Sequence, residues 1–108
     1  MLYKKEFGVD FELGFELSDF LILIDRSWKN DTCPSFYFKV NEAYYILWVD
    51  YADLKDRENP NARYLVQEAV NYGDDESPEI YGDEGSIIFE SEELTDLKKF
   101  LDLSQQLH

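Results

Sequence analysis

Two runs of aromatic and β-branched residues, separated by only two residues, most constrain how this chain can fold. The runs cover residues 35–40 and 43–51, with Asn41 and Glu42 between them. Such side chains favour strands, and a two-residue spacing is typical of a β-hairpin. Asn41 tolerates a positive φ, whereas Glu42 is a less favourable second turn residue, so a longer loop remains an alternative. The pattern predicts an antiparallel hairpin near the middle of the chain.

Shorter segments on both sides of the hairpin also predict strands. In residues 11–17, apolar and acidic residues alternate as in a half-buried strand, with a bulge or bend at Gly14. Further strands are predicted at residues 3–7, 19–26, 64–70 and 86–90, with a short helix as the alternative for 64–70. Polar residues predict loops at 28–34 and 52–62, the second with room for one helical turn.

The end of the chain predicts a helix. Ser91 is a candidate N-cap, and Glu92 and Glu93 would then occupy the first turn, where the helix dipole favours negative charge. A buried stripe is predicted from the apolar residues at helical spacing, which are Leu94, Leu97, Phe100, Leu101 and Leu107. These patterns predict one α+β domain over residues 1–108. Its curved, mostly antiparallel sheet would have about five to seven strands, with the carboxy-terminal helix packed on one face.

An excess of negative charge limits the partners of the chain. It has 24 acidic and 10 basic residues, for a net charge of −14. This field repels the phosphates of nucleic acids and attracts basic surfaces. Hydrophobic residues make up 44% and aromatic residues 17%, enough to form a core despite the self-repulsion. The composition therefore predicts a folded protein that binds a protein with a basic surface and does not bind nucleic acid.

Few residues suit catalysis or redox chemistry. Cys33 is the single cysteine and His108, at the very end, the single histidine, so no Cys/His zinc set or redox pair is available. Cys33 is expected to be a small buried or half-buried apolar residue near a turn at Pro34. The chain also lacks the glycine-rich phosphate loops and the nucleophile elbow. The sequence predicts no enzyme activity and no cofactor.

The apolar runs are short. The longest, residues 20–24, is far below the length of roughly 20 residues that a transmembrane helix needs. Acidic residues interrupt the amino-terminal segment before it reaches the length of a signal peptide. We therefore expect no membrane association and a cytoplasmic location, which a single cysteine also fits.

Two acidic groups supply the candidate partner-binding residues. The first, called the Asp50 group, lies beside Trp48 and Tyr51 and consists of Asp50, Asp53, Asp56 and Glu58. The second, called the Asp74 group, consists of Asp74, Asp75, Glu76, Glu79, Asp83 and Glu84, together with Tyr81. Residues 73–85, which carry this group and contain no basic residue, are predicted to be exposed. Aromatic rings beside charges are typical of interface hot spots, although rings at alternating strand positions, such as Trp48, belong to the core more often than to an interface.

Other roles for these carboxylates stay open. The Asp74 group could be a solvated loop or could bind calcium, although its spacing does not match an EF-hand. Carboxylates from the two groups could also converge on a divalent ion, as in a metal-dependent enzyme.

The aromatic hairpin, the segment 47–58, the strand that begins at Arg63 and Tyr64, and the acidic total resemble small bacterial immunity proteins. These are the immunity proteins of contact-dependent inhibition and polymorphic toxin systems, and the resemblance covers roughly residues 36–90. It implies a cytoplasmic protein that binds a toxin domain, often a nuclease with a basic active site, and neutralises it by occlusion. The alternative is an acidic metal-dependent enzyme or a small-ligand-binding domain. A nucleic-acid mimic would use the same electrostatics as an immunity protein.

Overall fold

A six-stranded antiparallel sheet and a carboxy-terminal helix form the α+β fold that the sequence predicts. The structure is a computed structural model and describes residues 1–58, 62–82 and 85–107, with the backbone alone for 105–107. The strands follow the order β1-β2-β3-β4-β5, and β6 also pairs with β4. The elements are α1 (Leu2–Phe7), β1 (Ile24–Asp25), β2 (Ser35–Val40), β3 (Ala43–Val49), β4 (Tyr64–Asn71), β5 (Ile80–Tyr81), β6 (Ile87–Ser91) and α2 (Leu94–Leu107).

The predicted hairpin forms the centre of the sheet. Strands β2 and β3 pair from Ser35 opposite Trp48 to Val40 opposite Ala43, which leaves a two-residue turn. Asn41 has a φ of 56°, the left-handed conformation that asparagine tolerates. The two-residue turn is therefore confirmed, and the longer loop is not formed.

One edge of β4 is shared between two short strands. β6 pairs with the first half of β4, and β5 pairs with its last two residues. Val70 lies opposite Tyr81 and Gln67 lies opposite Ile87, so β5 and β6 follow the same edge in sequence order. The strand prediction for this part of the chain is confirmed, and the helical alternative for β4 is wrong.

The sheet is strongly curved. β1 and β5 stand at opposite ends of the strand order, which in a flat sheet would separate them by about 19 Å. Yet Arg26, directly after β1, donates from Nη2 to the carbonyl oxygen of Ile80 in β5 at 3.0 Å. An arginine side chain cannot reach across four flat strand spacings. The sheet therefore curls, and its concave face buries Ile46, Leu65 and Ile80.

The main core lies on the convex face. Phe36, Phe38, Leu47, Val49, Tyr64 and Val66 project from the strands into one cluster. Leu97 and Leu101 of α2 cover part of this cluster, as the predicted stripe requires. The side chain of Leu107 lies outside the described residues.

The amino-terminal strands are the part of the prediction that is wrong. Residues 3–7 lie in helix α1, residues 11–17 pair with no strand, and only Ile24–Asp25 of the segment 19–26 is a strand. The alternation in 11–17 still places Phe11 and Leu13 in the core. An extended chain can present alternate side chains to a core without a strand partner if other groups satisfy its backbone.

Side chains at the start of β4 form the hydrogen bonds that satisfy the backbone of residues 11–17. The Tyr64 hydroxyl donates to the carbonyl oxygen of Leu13 at 2.8 Å, and Arg63 Nη2 donates to that of Glu12 at 2.8 Å. Gly14 follows with a φ of 89°, so the predicted bend lies where glycine is needed. The segment therefore packs on the convex face and does not extend the sheet.

The helix begins later than predicted. Ser91 is the last residue of β6, and α2 starts at Leu94, so the assignment of Ser91 as N-cap is wrong. Its hydroxyl accepts instead from the backbone N–H of Glu93 at 3.0 Å, in the turn between the two elements. Continued pairing of Ser91 with Tyr64 holds the backbone extended up to this point.

Candidate functional site: a tyrosine groove beside an acidic turn

The two acidic groups lie at opposite ends of the sheet. The Asp50 group follows β3 and precedes β4, whereas the described members of the Asp74 group follow the end of β4. The eight residues of β4 separate the two by about 26 Å. Their described carboxylates therefore do not converge on one ion, as the metal-enzyme alternative requires. Within the described part of the chain, no three Asp, Glu, His or Cys residues are grouped so that they could hold a metal.

Basic residues accompany the Asp50 group. Lys55 Nζ lies 3.8 Å from Asp53 Oδ2. The Arg57 side chain is only 1% exposed and donates to both carboxylate oxygens of Glu92, at 2.8 and 2.7 Å. This pair lowers the pKa of Glu92 and raises that of Arg57, through their hydrogen bond in each case. Cations within the loop therefore offset part of its negative charge.

Two carboxylates of the Asp50 group hold the local backbone. Asp50 is 9% exposed, and its Oδ1 accepts from the Tyr51 N–H at 2.8 Å. Asp53 Oδ1 accepts from the Lys55 N–H at 2.9 Å and caps the single helical turn at Leu54–Asp56. That turn confirms the prediction for this loop. Asp56 and Glu58 are the members that remain exposed without such a role in the described hydrogen bonds.

The Asp74 group begins in a turn that side-chain acceptors build. Asn71 Oδ1 accepts from the N–H groups of Gly73 and Glu79, both at 2.9 Å. Asp74 Oδ1 accepts from the N–H groups of Glu76 and Ser77, at 3.0 and 2.7 Å. An Asx turn of this kind fixes the backbone around the carboxylate. Asp74 is therefore a structural residue of the turn, whatever else it contacts.

The turn displays the other carboxylates to solvent. Asp75, Glu76 and Glu79 are exposed, as predicted, whereas Asp83 and Glu84 lie outside the described residues. No lysine or arginine occurs between residues 64 and 97, a stretch that contains 11 acidic residues. Lys39 approaches from the hairpin, and its pKa is raised, first by Tyr44 and then by Glu42 and Asp75. We call residues 73–79 the acidic turn.

A groove with two exposed tyrosines adjoins the acidic turn. Tyr72 is 63% exposed and Tyr81 is 49% exposed, and their ring centroids are 5.9 Å apart. Val70, which is 52% exposed, and the exposed Glu68 line the same groove. We call these four residues the tyrosine groove. An exposed set of rings and aliphatic carbon at the edge of a sheet is a typical contact surface.

The reach of α2 explains why these side chains are exposed. Alternate residues of β4 project onto the convex face, and the first two, Tyr64 and Val66, are buried there with the helix residues Leu97 and Leu101. Farther along the same face, Glu68 and Val70 are exposed. Since neighbouring strands and helices cover only the first half of this row, the second half faces solvent.

Sequence reasoning identified Tyr81 but missed the rest of the groove. The missing signal was the long stretch without a cation, which extends back to β4 and includes Glu68 and Tyr72. The alternation of β4 also predicts that Glu68, Val70 and Tyr72 share a face. Trp48, for which core and contact roles were both open, is half-buried on the concave face.

Comparison of the chain with protein-family models, with curated proteins and with solved structures gave no match. In the residues that the structure describes, no helix has the length and apolar character that a membrane crossing requires.

Proposed function

We propose that this protein is an immunity-type inhibitor, which binds a basic toxin domain through the tyrosine groove and the acidic turn. The observation that carries the proposal is the exposed pair Tyr72 and Tyr81 beside carboxylates in a stretch of chain without a basic residue. Tyrosine is enriched among interface hot spots because it buries a large area with little loss of side-chain entropy. The carboxylates supply complementarity to a cationic partner.

The two parts of the surface would act at different stages of binding. Long-range attraction by the acidic turn would raise the rate of encounter with a basic surface, an effect that salt screens. After contact, burial of the tyrosine rings would slow dissociation. A toxin of the nuclease type holds its anionic substrate with lysine and arginine, so an acidic protein bound over those residues would exclude the substrate.

The Asp50 group is the less favourable docking surface. Arg57 and Lys55 lie within the same loop, and two of its four carboxylates cap backbone N–H groups. A basic partner would meet the exposed Lys55 there as well as carboxylates. The acidic turn has no lysine or arginine of its own and exposes Asp75, Glu76 and Glu79, with Lys39 of the hairpin as the cation that approaches Asp75.

A charge-reversal pair with a matched control tests the proposed surface. In the test variant, Asp75→Lys and Glu76→Lys change the acidic turn and leave the Asx turn of Asp74 in place. In the control, Asp56→Lys and Glu58→Lys make the same change of charge at the other end of the sheet. The wild-type chain, the test variant and the control would each serve as bait to capture a basic protein from cells that naturally produce this chain. Surface plasmon resonance would then measure the rates at which the captured protein associates with and dissociates from each bait. We expect the test variant to bind about tenfold or more weakly and the control to bind nearly normally.

Growth of bacteria provides the functional readout. The captured protein should arrest growth when expressed alone, and co-expression of the wild-type chain or of the control should restore growth. Tyr72→Ala should reduce the rescue mainly through faster dissociation. Equal weakening by the two charge reversals would assign binding to overall charge and not to this surface. A captured protein that is harmless to cells would contradict the immunity function, and an association rate that does not depend on salt would contradict electrostatic steering.

A further inference from the structure

A second pocket opens on the concave face, beside the first half of β4, and it adjoins the tyrosine groove at Gly85. It encloses about 360 Å³, a size that suits a small organic ligand. Its walls include Cys33, Trp48, Asp50, Leu65 and Gln67. Trp48 and Asp50 are two residues apart at the end of β3, so both project onto the concave face. The curvature of the sheet forms the cavity, as in the mouth of a small barrel.

Hydrogen bonds fix the aromatic wall of this pocket. The Trp48 indole Nε1 donates to Gln67 Oε1 at 2.6 Å, and Gln67 Nε2 donates to the carbonyl oxygen of Gly82 at 3.0 Å. The guanidinium carbon of Arg26 lies 5.6 Å from the centre of the indole. Arg26 itself does not line the pocket. These contacts hold the indole in one orientation, so it is a preorganised apolar surface.

Asp50 gives the pocket its negative charge. Its carboxylate is 9% exposed, and Oδ1 is engaged by the Tyr51 N–H. The Cys33 thiol beside it is buried, and burial first and Asp50 second raise its pKa to about 12, so it is neutral at physiological pH. Arg63 also borders the pocket, but its guanidinium donates to the carbonyl oxygens of Glu12 and Asp50. Asp50 is the one carboxylate among the described residues that line the pocket, so it is the group there that can pair with a positive charge, while Arg63 adds a cation at the same wall.

We propose that this pocket binds a single organic cation, a guanidinium or alkylammonium group, which pairs with the Asp50 carboxylate while its alkyl stem packs on Trp48 and Leu65. A buried carboxylate beside a rigid indole provides both the charge pairing and the cation–π contact that such a group requires. The cation can be a free small molecule or an arginine or lysine side chain of a bound protein. The site is separate from the tyrosine groove, and this inference does not rest on the proposed function.

Tryptophan fluorescence can follow binding in this pocket alone. The other tryptophan, Trp28, is 53% exposed, and Trp28→Phe leaves Trp48 as the only reporter. In this background, n-butylguanidinium should produce a saturable change with a Kd on the order of 1 mM, as expected for so small a ligand. The uncharged isostere n-butylurea should bind at least about tenfold more weakly because it lacks the ionic pair. Equal binding of the two compounds, or no saturable change with the cation, would overturn the proposal.

Two conservative variants locate the charge. Asp50→Asn keeps an oxygen for the Tyr51 N–H but removes the charge, and it should weaken n-butylguanidinium about tenfold. Asp53→Asn makes the same change at an exposed carboxylate of the same loop and should leave the Kd unchanged. Thermal melts and amide NMR spectra would establish that each variant is folded. If Asp50→Asn does not fold, the comparison of n-butylguanidinium with n-butylurea on the unchanged pocket still tests whether the pocket selects a cation. An equal loss of affinity for n-butylguanidinium in both variants would contradict the proposal, because it would show that the overall negative charge, and not Asp50, attracts the cation.

The source of the cation follows from one more titration. An uncharged, capped pentapeptide with arginine as its only charged residue should compete with n-butylguanidinium if the pocket accepts a protein side chain. A peptide that does not compete, together with binding of the free cation, would assign the pocket to a small molecule. Competition by the peptide, and binding of the free cation alone, both support the pocket as a cation site. Fluorescence quenching that neither saturates nor responds to a competitor would contradict the cation site.

Discussion

The three arginines all donate to main-chain carbonyl oxygens. Arg26 reaches Ile80, Arg57 reaches Tyr51, and Arg63 reaches Glu12 and Asp50. A guanidinium is well suited to this role because it has five donors in a rigid plane and is weakly hydrated. Its positive charge is then held within the fold, whereas most carboxylates face solvent. At the scale of single residues, internal hydrogen bonding therefore makes the surface more acidic than the list of charges indicates.

The thiol of Cys33 should be protected from modification in the folded protein. Burial, and next the charge of Asp50, raises its pKa to about 12, so very little thiolate exists at neutral pH. At about pH 8, an aromatic disulfide reagent should label the native thiol on the order of a thousandfold more slowly than the urea-unfolded thiol. Absorbance of the released thiolate measures both rates. Similar rates in the two states would contradict the burial of Cys33.

Gly14→Ala should destabilise the fold more than Gly8→Ala. Both glycines have positive φ, 89° and 109°, so each substitution introduces backbone strain of about 1 kcal/mol or more. At Gly14 the new methyl group would also collide with the Tyr64 hydroxyl, whereas at Gly8 it would meet open space. We expect Gly14→Ala to lower the free energy of unfolding by a further 1 kcal/mol or so, since the Tyr64–Leu13 hydrogen bond would be lost. Urea titrations measure the difference, and equal losses would contradict the contact.

At the scale of elements, the contact of Arg57 with Glu92 joins two distant segments. Arg57 follows β3, and Glu92 lies between β6 and α2. Glu92 Oε1 also accepts from the Arg63 N–H at 3.1 Å, directly before β4. One carboxylate thus ties together the loop after β3, the start of β4 and the approach to the helix. The bidentate geometry gives this ion pair more weight than an ordinary surface pair.

Arg57→Lys should destabilise the protein by about 1–2 kcal/mol, because an ammonium cannot reproduce the fork that contacts Glu92 and the Tyr51 carbonyl oxygen. Lys55→Met is the matched control. It removes a cation of the same loop from an exposed pair with Asp53 and should change stability little. Denaturant melts of the two variants provide the measurement. An equal effect of the two substitutions would contradict a specific role for the Arg57 guanidinium.

Glu92→Gln should alter the pH dependence of stability. Arg57 lowers the pKa of Glu92 in the folded state, so the ion pair stabilises the fold above the unfolded-state pKa. This stabilisation is lost as pH falls through the lowered folded-state pKa. The wild type should therefore exceed the variant in Tm at neutral pH, and the difference should shrink on acidification. A difference in Tm that stays constant down to strongly acidic pH would contradict this linkage.

At the scale of the whole molecule, the net charge of −14 must oppose the compact state. The two acidic groups lie at opposite ends of β4, an arrangement that keeps them apart. The fold therefore keeps these two acidic groups apart, and of the two the acidic turn adjoins the exposed tyrosines Tyr72 and Tyr81.

Salt should raise the thermal stability of this protein. Screening shortens the range of the repulsion between carboxylates, with a Debye length of about 10 Å at 0.1 M salt. We expect Tm to increase as sodium chloride rises from low to physiological concentration. The increase should be smaller in the variant with Asp75→Lys and Glu76→Lys, whose net charge is four units less negative. Calorimetry measures both, and a Tm that falls with salt would show that attractive ion pairs outweigh the repulsion.

The sequence by itself determined the features that depend on neighbouring residues. It predicted the hairpin with its turn at Asn41, the α+β class, the buried pair Leu97 and Leu101, and the exposure of the acidic turn. Each depends on local propensity or on which side chains share a face, and both can be deduced from spacing along the chain. The resemblance to immunity proteins remains a hypothesis.

Only the tertiary structure decided what covers each face. The alternation in residues 11–17 was satisfied by packing, because Tyr64 and Arg63 replaced the hydrogen bonds of a strand partner. Packing between distant residues also determined that Asp50 is buried in a pocket and that Tyr72 lies beyond the part of the sheet that α2 covers. Periodicity shows which residues share a face, but the curvature of a sheet and the reach of a helix result from packing across the whole molecule.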